Sequence, residues 1–262
     1  MSPQQIRFDD GAAYERYMGT WSQKAGDRFL EWLSPSPGLR WLDVGCGNGA
    51  FTEMLFDRCS PASVDGIDPS DAQLAYARTR LEGRGGRFQR GDAMALPFEA
   101  RTLDAAVMPL VIFFVTDPAK GVAEMARVVR DGGIVSAYAW DMAGGGFPYA
   151  VLMTELRGLG VAVPEAPSPG ASRLDTLCEL WAGAGLTAID THVITVQRTF
   201  RDFDDYWATI QGAPSAGGRL ASMSAGDIER LQSVLRERLP ADADGHITYS
   251  ARAHAVKGQV PR

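Results

Sequence analysis

The chain has 262 residues, of which 45% are hydrophobic and 22% charged, and its formal net charge is −6. This composition is ordinary for a globular protein and excludes a chain that is disordered throughout. The acidic balance also argues against nucleic acid as a partner, since nucleic-acid-binding proteins carry a basic face. Five arginines lie close together at Arg78, Arg80, Arg84, Arg87 and Arg90, and we interpret them as a solvated helix face and loop.

The cysteines and the apolar runs bear on the location of the protein. Cys46, Cys59 and Cys178 are odd in number, which gives no disulfide framework, and no pair has the spacing of metal ligands. We therefore predict a reducing, cytoplasmic location and no bound metal. The first ten residues contain no apolar signal core, and no apolar run approaches the ~20 residues of a membrane span. We expect no membrane contact, and either a monomer or a homodimer.

The first predicted element is a helix over residues 11–34, where aromatic and aliphatic residues recur at helical spacing. The prolines and the glycine of residues 34–38 end this helix. Short apolar strands and helices then alternate. Strands are predicted at 40–44, 63–67, 86–90, 103–108 and 134–140, and helices at 50–58, 71–82 and 118–129. This alternation predicts βαβ units, that is, a parallel sheet with helices on both faces.

The pattern changes after residue 141. Residues 142–170 are rich in Gly, Pro and Ala and contain one predicted helix near 148–159. A helix over 172–184 and a long alternating strand over 187–200 follow. The last predicted elements are helices at 203–210 and 225–238 and a strand at 247–257. The second half therefore adds two strands and several helices to the α/β pattern.

The strongest local signal is the segment Asp43–Gly49, in which a strand end runs into Gly45, Gly47 and Gly49 before a helix begins. Glycine permits a sharp turn and a close approach of the backbone to a ligand. The helix N-terminus offers free N–H groups and a partial positive charge, which suit a carboxylate or a pyrophosphate. A tight structural turn without any ligand explains the glycine spacing equally well.

Acidic residues end the next two predicted strands. Asp68 follows Gly49 by 19 positions, and a carboxylate at this strand end can accept hydrogen bonds from the hydroxyls of a ribose. Its alternative role is to cap the following helix. Asp92 ends the third strand beside apolar residues that can sandwich an adenine ring, and its alternative role is to cap a surface turn. Together these residues favour an adenosine-containing cofactor.

These motifs, in this order over residues 40–141, resemble those of the class I S-adenosylmethionine (SAM)-dependent methyltransferases. The resemblance is to the small-molecule, methyltransferase type 11 or UbiE-like branch. The matching segments are Asp43–Gly49, Asp68, Gly91–Ala93 with Leu96–Phe98, Leu103–Val107 and Val128–Gly133. The leading segment Tyr14–Ser22 is similar to a helix that helps to cover the cofactor in that branch. The chain departs from the family pattern at Arg130 and Asp131, where relatives usually carry Lys-Pro.

The resemblance implies a Rossmann-like, doubly wound, seven-stranded sheet whose last strand is antiparallel. It implies a single methyltransferase domain over 1–262, with an N-terminal helical cap at 1–39, a SAM-binding core at 40–141, and helical lid insertions at 142–170 and 201–240. The implied cofactor is SAM, the implied product S-adenosylhomocysteine, and the implied partner a small-molecule methyl acceptor. The cofactor-binding residues that it implies are Asp43, Gly45, Cys46, Gly47, Asn48, Gly49, Asp68, Pro69, Asp92, Ala93 and Met94. For Met108, Pro109 and Leu110, after the fourth strand, we predict backbone contacts to the cofactor, with simple core packing as the alternative.

No catalytic residue is evident. Methyl transfer from a sulfonium depends mainly on alignment and on the removal of water, so a general base is not always required. Residues 108–115 are apolar where many relatives carry a polar residue. Asp141 at the end of the fifth strand is the best acidic candidate, with Tyr14 and His192 as further candidates. Each also has an ordinary structural role as its alternative. Aromatic residues of the predicted lid indicate either an apolar acceptor pocket or simple packing.

Two other functions are compatible with the sequence. A nicotinamide oxidoreductase shares the glycine turn and the ribose acid, but its Gly-x-Gly-x-x-Gly motif closes one position later than Gly49 and leaves Asp92 without a role. A SAM-binding protein that transfers no methyl group uses the same fold, because a fold does not decide its chemistry. The lack of an evident base keeps this second alternative open.

Overall fold

A computed structural model describes residues 15–213, 216–239 and 241–262, which form a seven-stranded sheet with the order β3-β2-β1-β4-β5-β7-β6. The strands are β1 (Arg40–Val44), β2 (Ser63–Asp68), β3 (Arg87–Arg90), β4 (Leu103–Pro109), β5 (Val129–Trp140), β6 (Thr187–Phe200) and β7 (Ile247–Gln259). Strand β7 runs antiparallel to both of its neighbours, and the pairs among β1 to β5 are parallel. The predicted Rossmann-like sheet with an antiparallel last strand is confirmed.

Helices flank the sheet on both faces. They are α1 (Thr20–Leu33), α2 (Ala50–Cys59), α3 (Asp71–Arg80), α4 (Pro118–Val128), α5 (Ala150–Gly158), α6 (Leu174–Gly183), α7 (Phe203–Gln211), α8 (Gly217–Ser222) and α9 (Ala225–Arg238). Among the described residues, the predicted first helix begins with a π turn at Glu15–Gly19, and the helix predicted over 172–184 starts at Leu174 after a 3₁₀ turn. The short helix α8 has no counterpart in the prediction.

The largest difference between prediction and structure is at the start of β5. The sequence predicts a loop over residues 130–133, between the helix at 118–129 and the strand at 134–140, but β5 already begins at Val129, directly after α4. Gly132 keeps a left-handed φ of 72°, and the pairing with β4 shifts its register here. Gly132 N donates to Val260 O at 2.9 Å, and Val260 N donates back to Gly133 O at 3.0 Å. Backbone partners from the far end of the chain therefore extend the strand through residues that locally favour a turn.

The arginine group on α3 and β3 is paired within the fold. Arg78 donates to the carbonyl oxygen of Phe88 at 2.9 Å, and the other four arginines lie within ion-pair distance of carboxylates. These pairs are Arg80–Glu53, Arg84–Asp57, Arg87–Asp65 and Arg90–Asp71. The group is thus a mixed-charge surface rather than a free basic patch. None of the helices in the described parts of the chain has the length and the apolar character that a membrane span needs.

Asp104, in β4, is held by two arginines. Arg40 donates from its backbone N and from Nε to Asp104 Oδ2 at 2.9 Å, and Arg130 Nε donates to Oδ1 at 2.5 Å. The hydrogen bonds from Arg40 are the main reason that the pKa of Asp104 lies well below its usual range. Because Arg40 begins β1 and Arg130 lies in β5, this carboxylate joins three central strands at the edge opposite the glycine turn.

We predict that Asp104→Asn lowers the free energy of unfolding by about 1–2 kcal/mol at pH 7, because charge-assisted hydrogen bonds to partly exposed arginines are lost. A carboxyl group with a depressed folded pKa stabilises the fold above its unfolded pKa near 4 and loses that effect as the pH falls further. The difference between wild type and variant in urea denaturation should therefore shrink below about pH 4. Asp131→Asn, which removes the more exposed pair with Arg101, is the control and should change stability little.

Candidate active site

The chain reverses sharply between β1 and α2 through left-handed backbone. Gly45 and Gly49 have φ values of 75° and 79°. A Cβ atom at Gly45 would lie 2.5 Å from Val111 Cγ2, so only glycine fits there. Gly45 N and Cys46 N both donate to the carbonyl oxygen of Ile67, at 2.8 and 2.9 Å. The turn is therefore tied to the end of β2.

Asp68 lies against this turn, as the order of the motifs predicted. Its Oδ2 accepts from Gly47 N at 3.0 Å, and its Oδ1 accepts from Ser70 N at 2.8 Å. Burial raises the pKa of Asp68, while the two backbone donors lower it. Each carboxylate oxygen has a second lone pair. A half-buried carboxylate is thus held in a fixed orientation at the strand end, with acceptor capacity left for a ligand.

Asp43 is completely buried at the end of β1. Its Oδ2 accepts from Thr52 Oγ1 at 2.6 Å, whereas Oδ1 has no hydrogen-bond partner among the described residues. Burial raises the pKa of Asp43 to about 7, the hydroxyl of Thr52 opposes that rise, and the charge of Asp68 adds to it. An unpaired oxygen at this position is one that a cationic ligand group would stabilise.

The third acidic residue, Asp92, is exposed and caps a tight turn. Its Oδ1 accepts from Met94 N at 2.9 Å, and its carbonyl oxygen accepts from Ala95 N at 3.0 Å. The preceding Gly91 N donates to Asp68 O at 3.2 Å, so this turn lies next to Asp68, the residue predicted to bind the ribose. The structural role considered for Asp92 is therefore present, and its proposed contact with adenine remains a prediction. Ala93 and Met94 are half-buried beside it, and Pro69 is exposed.

Strand β4 leaves the sheet through a strained residue. Met108 and Pro109 are buried at its end, and Leu110 has a left-handed φ of 59°. Such a conformation costs a non-glycine residue on the order of 1–2 kcal/mol. The bond from Leu110 N to Tyr138 O, at 2.7 Å, holds it in place. Leu110 and the adjoining Val111, which fills the space above Gly45, separate the glycine turn from the region beyond β4.

A cavity of about 520 Å³ lies beyond Leu110, at the ends of β4 and β5. Its lining is mainly apolar and includes Met18, Leu110, Phe113, Phe114, Trp140, Met142, Phe147 and Met153. Among the described residues, its ionisable lining groups are Tyr17 and, at 3.6 Å from each other, Arg157 and Glu165. Residues 142–170 supply much of this wall. The other predicted lid segment, 201–240, contributes no described lining residue, and its helix α9 packs against α5.

The candidate catalytic residues that the structure describes are not part of the cavity lining. Asp141 accepts from Arg252 and from Gly144 N, and these bonds hold its pKa below the usual range against the effect of burial. His192 is exposed on the edge strand β6 and stacks on Trp32 at 5.7 Å. Neither side chain lines the cavity. The third candidate, Tyr14, lies outside the described residues.

Sequence reasoning missed Tyr17, Trp140 and the pair of Arg157 and Glu165. Tyr17 and Trp140 stood within segments that were interpreted as a helix and a buried strand, where aromatic residues usually pack the core. No local pattern marks Arg157 and Glu165, which meet only because α5 and the following loop fold together. All four residues lie near the carboxyl edge of the parallel sheet, where ligands bind in open α/β folds. This position is the one signal that could have identified them.

Comparison with known proteins agrees with this geometry. Residues 42–137 match the family model described as a methyltransferase domain. The chain is 37% identical over 117 residues to 2-methyl-6-phytyl-1,4-hydroquinone methyltransferase 2 of Oryza sativa, covering 44% of this chain and 34% of that protein. It is 36% identical over 115 residues to a demethylmenaquinone methyltransferase of Thermus thermophilus, covering 43% and 50%. The aligned part thus spans between a third and a half of these relatives.

Among solved structures, phosphoethanolamine N-methyltransferase 2 of Haemonchus contortus in complex with SAM superposes with a TM-score of 0.59 at 19% identity. The superposition covers 95% of this chain and 56% of that one. At this identity the likeness shows the fold. The matched family model shows that residues 42–137 are a methyltransferase domain, and the fold is that of the class I SAM-dependent methyltransferases, which the motifs of the chain resemble.

The cofactor of this family is SAM, and the residues present fit it. The left-handed turn is open at Gly47, where a Cβ atom would meet only Gln73 Oε1 at 3.9 Å, and Asp68 has acceptor capacity beside that turn. The unpaired Oδ1 of Asp43 is complementary to a positively charged group.

We predict that Asp68→Ala weakens SAM binding by about 1–3 kcal/mol, the usual effect of losing hydrogen bonds to a charged group. Isothermal titration calorimetry with SAM measures this directly. Asp71→Ala is the matched control, because Asp71 begins α3 three residues later and is largely exposed. Equal affinities in the two folded variants would refute a cofactor role for Asp68.

A second prediction concerns Asp43 and the stability of the unliganded protein. A carboxyl group with a raised folded pKa stabilises the fold below its unfolded pKa, and this contribution is lost as the pH rises through the folded value near 7. Relative to Asp43→Asn, the wild type should therefore lose stability between about pH 4 and pH 7, by up to ~1.4 kcal/mol per pH unit. Parallel stability curves from urea denaturation would contradict this.

Proposed function

We propose that this protein transfers the methyl group of SAM to a neutral, largely apolar small molecule held in the cavity beyond Leu110. The supporting observation is the position of Leu110 and Val111. Val111 packs over Gly45 in the glycine turn, and Leu110 lines the cavity. A single short segment therefore separates the cofactor turn from the cavity, which is the arrangement that transfer between two bound molecules needs.

The proposed cofactor site combines the three strand ends. Asp68 orients the ribose, the turn at Gly45–Gly49 gives close backbone contact, and Asp43 faces the ammonium group of SAM. Asp92 and the segment Met108–Leu110 border the adenine and the reacting end. Bound SAM supplies a methyl group that its sulfonium already activates. The protein contributes the alignment of the two molecules and the exclusion of water.

The cavity wall indicates the chemistry of the acceptor. Charged acceptors would lose their hydration among Phe113, Trp140 and Met153 without gaining an ionic partner there. Arg157 and Glu165 already pair with each other. The described lining contains no carboxylate or imidazole apart from Glu165, so the acceptor must be nucleophilic without a strong base. An electron-rich aromatic ring meets both requirements, and one of the relatives is named as a methyltransferase of such a ring, a 1,4-hydroquinone.

The test is a transfer assay with SAM labelled in its methyl group. We expect label in 1,4-naphthohydroquinone and none in glycine or phosphoethanolamine. Met153→Arg, which places a charge in the cavity wall, should abolish transfer while the Kd for SAM stays within about twofold of wild type, since Met153 lies outside the proposed cofactor site. Tight SAM binding without transfer to any aromatic acceptor would instead favour a SAM-binding protein that is not a methyltransferase.

A further inference from the structure

Tyr149 joins the two walls of the cavity without lining it. It directly precedes α5, whose Ala150 and Met153 line the cavity on one side. Tyr17 and Met18 line it on another side, from the π turn and the residues that lead into α1.

The contact between Tyr149 and Tyr17 has two parts. Their rings stack with centroids 4.0 Å apart and an angle of 13° between planes. The hydroxyl of Tyr149 donates to the carbonyl oxygen of Tyr17 at 2.8 Å. Tyr149 is 1% exposed, and burial raises its pKa to about 12, so the hydroxyl keeps its proton and stays a donor at any physiological pH.

The same carbonyl oxygen has a second long-range donor. Arg198 in β6 donates to it from Nη1 at 3.3 Å, and its guanidinium lies 4.3 Å from the ring centre of Phe200. The backbone at Tyr17 is thus attached both to the start of α5 and to the edge of the sheet. A π turn is an irregular piece of helix that is frequent at functional sites, and here tertiary hydrogen bonds fix its position.

We propose that Tyr149 is a positioning residue for the acceptor cavity, acting by holding Tyr17 and Met18 opposite helix α5. This inference rests on the proposed function only in assigning the cavity to the acceptor. It differs from a packing role, because the hydroxyl of Tyr149 then controls the shape of a surface that Tyr149 does not itself reach.

Tyr149→Phe separates these roles, since it keeps the stacked ring and removes only the donor. Tyr249→Phe is the matched control. Tyr249 belongs to the same aromatic cluster and stacks on Phe200 at 5.8 Å, but its buried hydroxyl has no hydrogen-bond partner among the described residues.

The test compares three measurements on both variants and the wild type. The first is the Kd of 1-naphthol, a neutral aromatic probe, in the presence of S-adenosylhomocysteine. The second is the Kd of SAM by calorimetry. The third is hydrogen exchange of peptides that cover residues 15–21 and 149–153. For Tyr149→Phe we expect a Kd for 1-naphthol that is about 3- to 10-fold higher, faster exchange in both peptides, and an unchanged Kd for SAM. Tyr249→Phe should match the wild type.

The outcomes separate this inference from the proposed function. If Tyr149→Phe and Tyr249→Phe behave alike in probe binding and exchange, the positioning role is wrong. If the wild type does not bind 1-naphthol, the assignment of the cavity to an aromatic acceptor fails, while faster exchange confined to Tyr149→Phe still supports the attachment of the π turn. A weaker Kd for SAM in Tyr149→Phe, equal to the loss for the probe, would also overturn the proposal, because it would show a general structural defect.

Discussion

The structure depends on one junction, the attachment of the left-handed turn after β1 to the end of β2. Two backbone N–H groups of this turn, at Gly45 and Cys46, share the carbonyl oxygen of Ile67, and a third, at Gly47, binds the carboxylate of Asp68. The bonds that close the turn therefore also hold the carboxylate of Asp68 in a fixed orientation beside it.

The end of β4 is in direct contact with this junction. Val111 fills the place that a side chain at Gly45 would take, so β4 has to leave the sheet at Leu110 in a strained conformation. That exit gives the cavity its inner wall. The strain at Leu110 is offset by its bond to Tyr138 in β5 and by the burial of the neighbouring Pro109. Cofactor turn and cavity are thus two sides of one short segment.

The apolar lining of the cavity explains why its described residues include no unpaired acid or base. Buried or half-buried carboxylates elsewhere in the described fold are held by arginines: Asp141 by Arg252, and Asp104 by Arg40 and Arg130. An unpaired carboxylate among Phe113, Trp140 and Met153 would be costly to ionise. A reaction that needs alignment more than proton transfer suits such surroundings.

The local sequence was sufficient for the sheet and for the cofactor turn. Alternating strands and helices, and the glycines of Asp43–Gly49, reflect preferences that act within a few residues. The prediction was wrong where residues far apart in the sequence determine the local backbone conformation. Val260 pairs with the Gly132 and Gly133 backbone and turns a predicted loop into the start of β5. For Asp92, the sequence left two roles open, a turn cap and an adenine contact, and the structure shows the turn cap.

By itself, then, the sequence determined the class of fold, the cofactor and the glycine turn with Asp68 beside it, because each of these is encoded in short motifs at fixed spacing. Only the tertiary structure decided which residues line the cavity. Tyr17, Leu110, Trp140 and Met153 come from four segments that have no common pattern, and they share a wall because a hydrogen bond from Tyr149 and the sheet order bring them together. Contacts of such sequence separation leave no signal in a single chain.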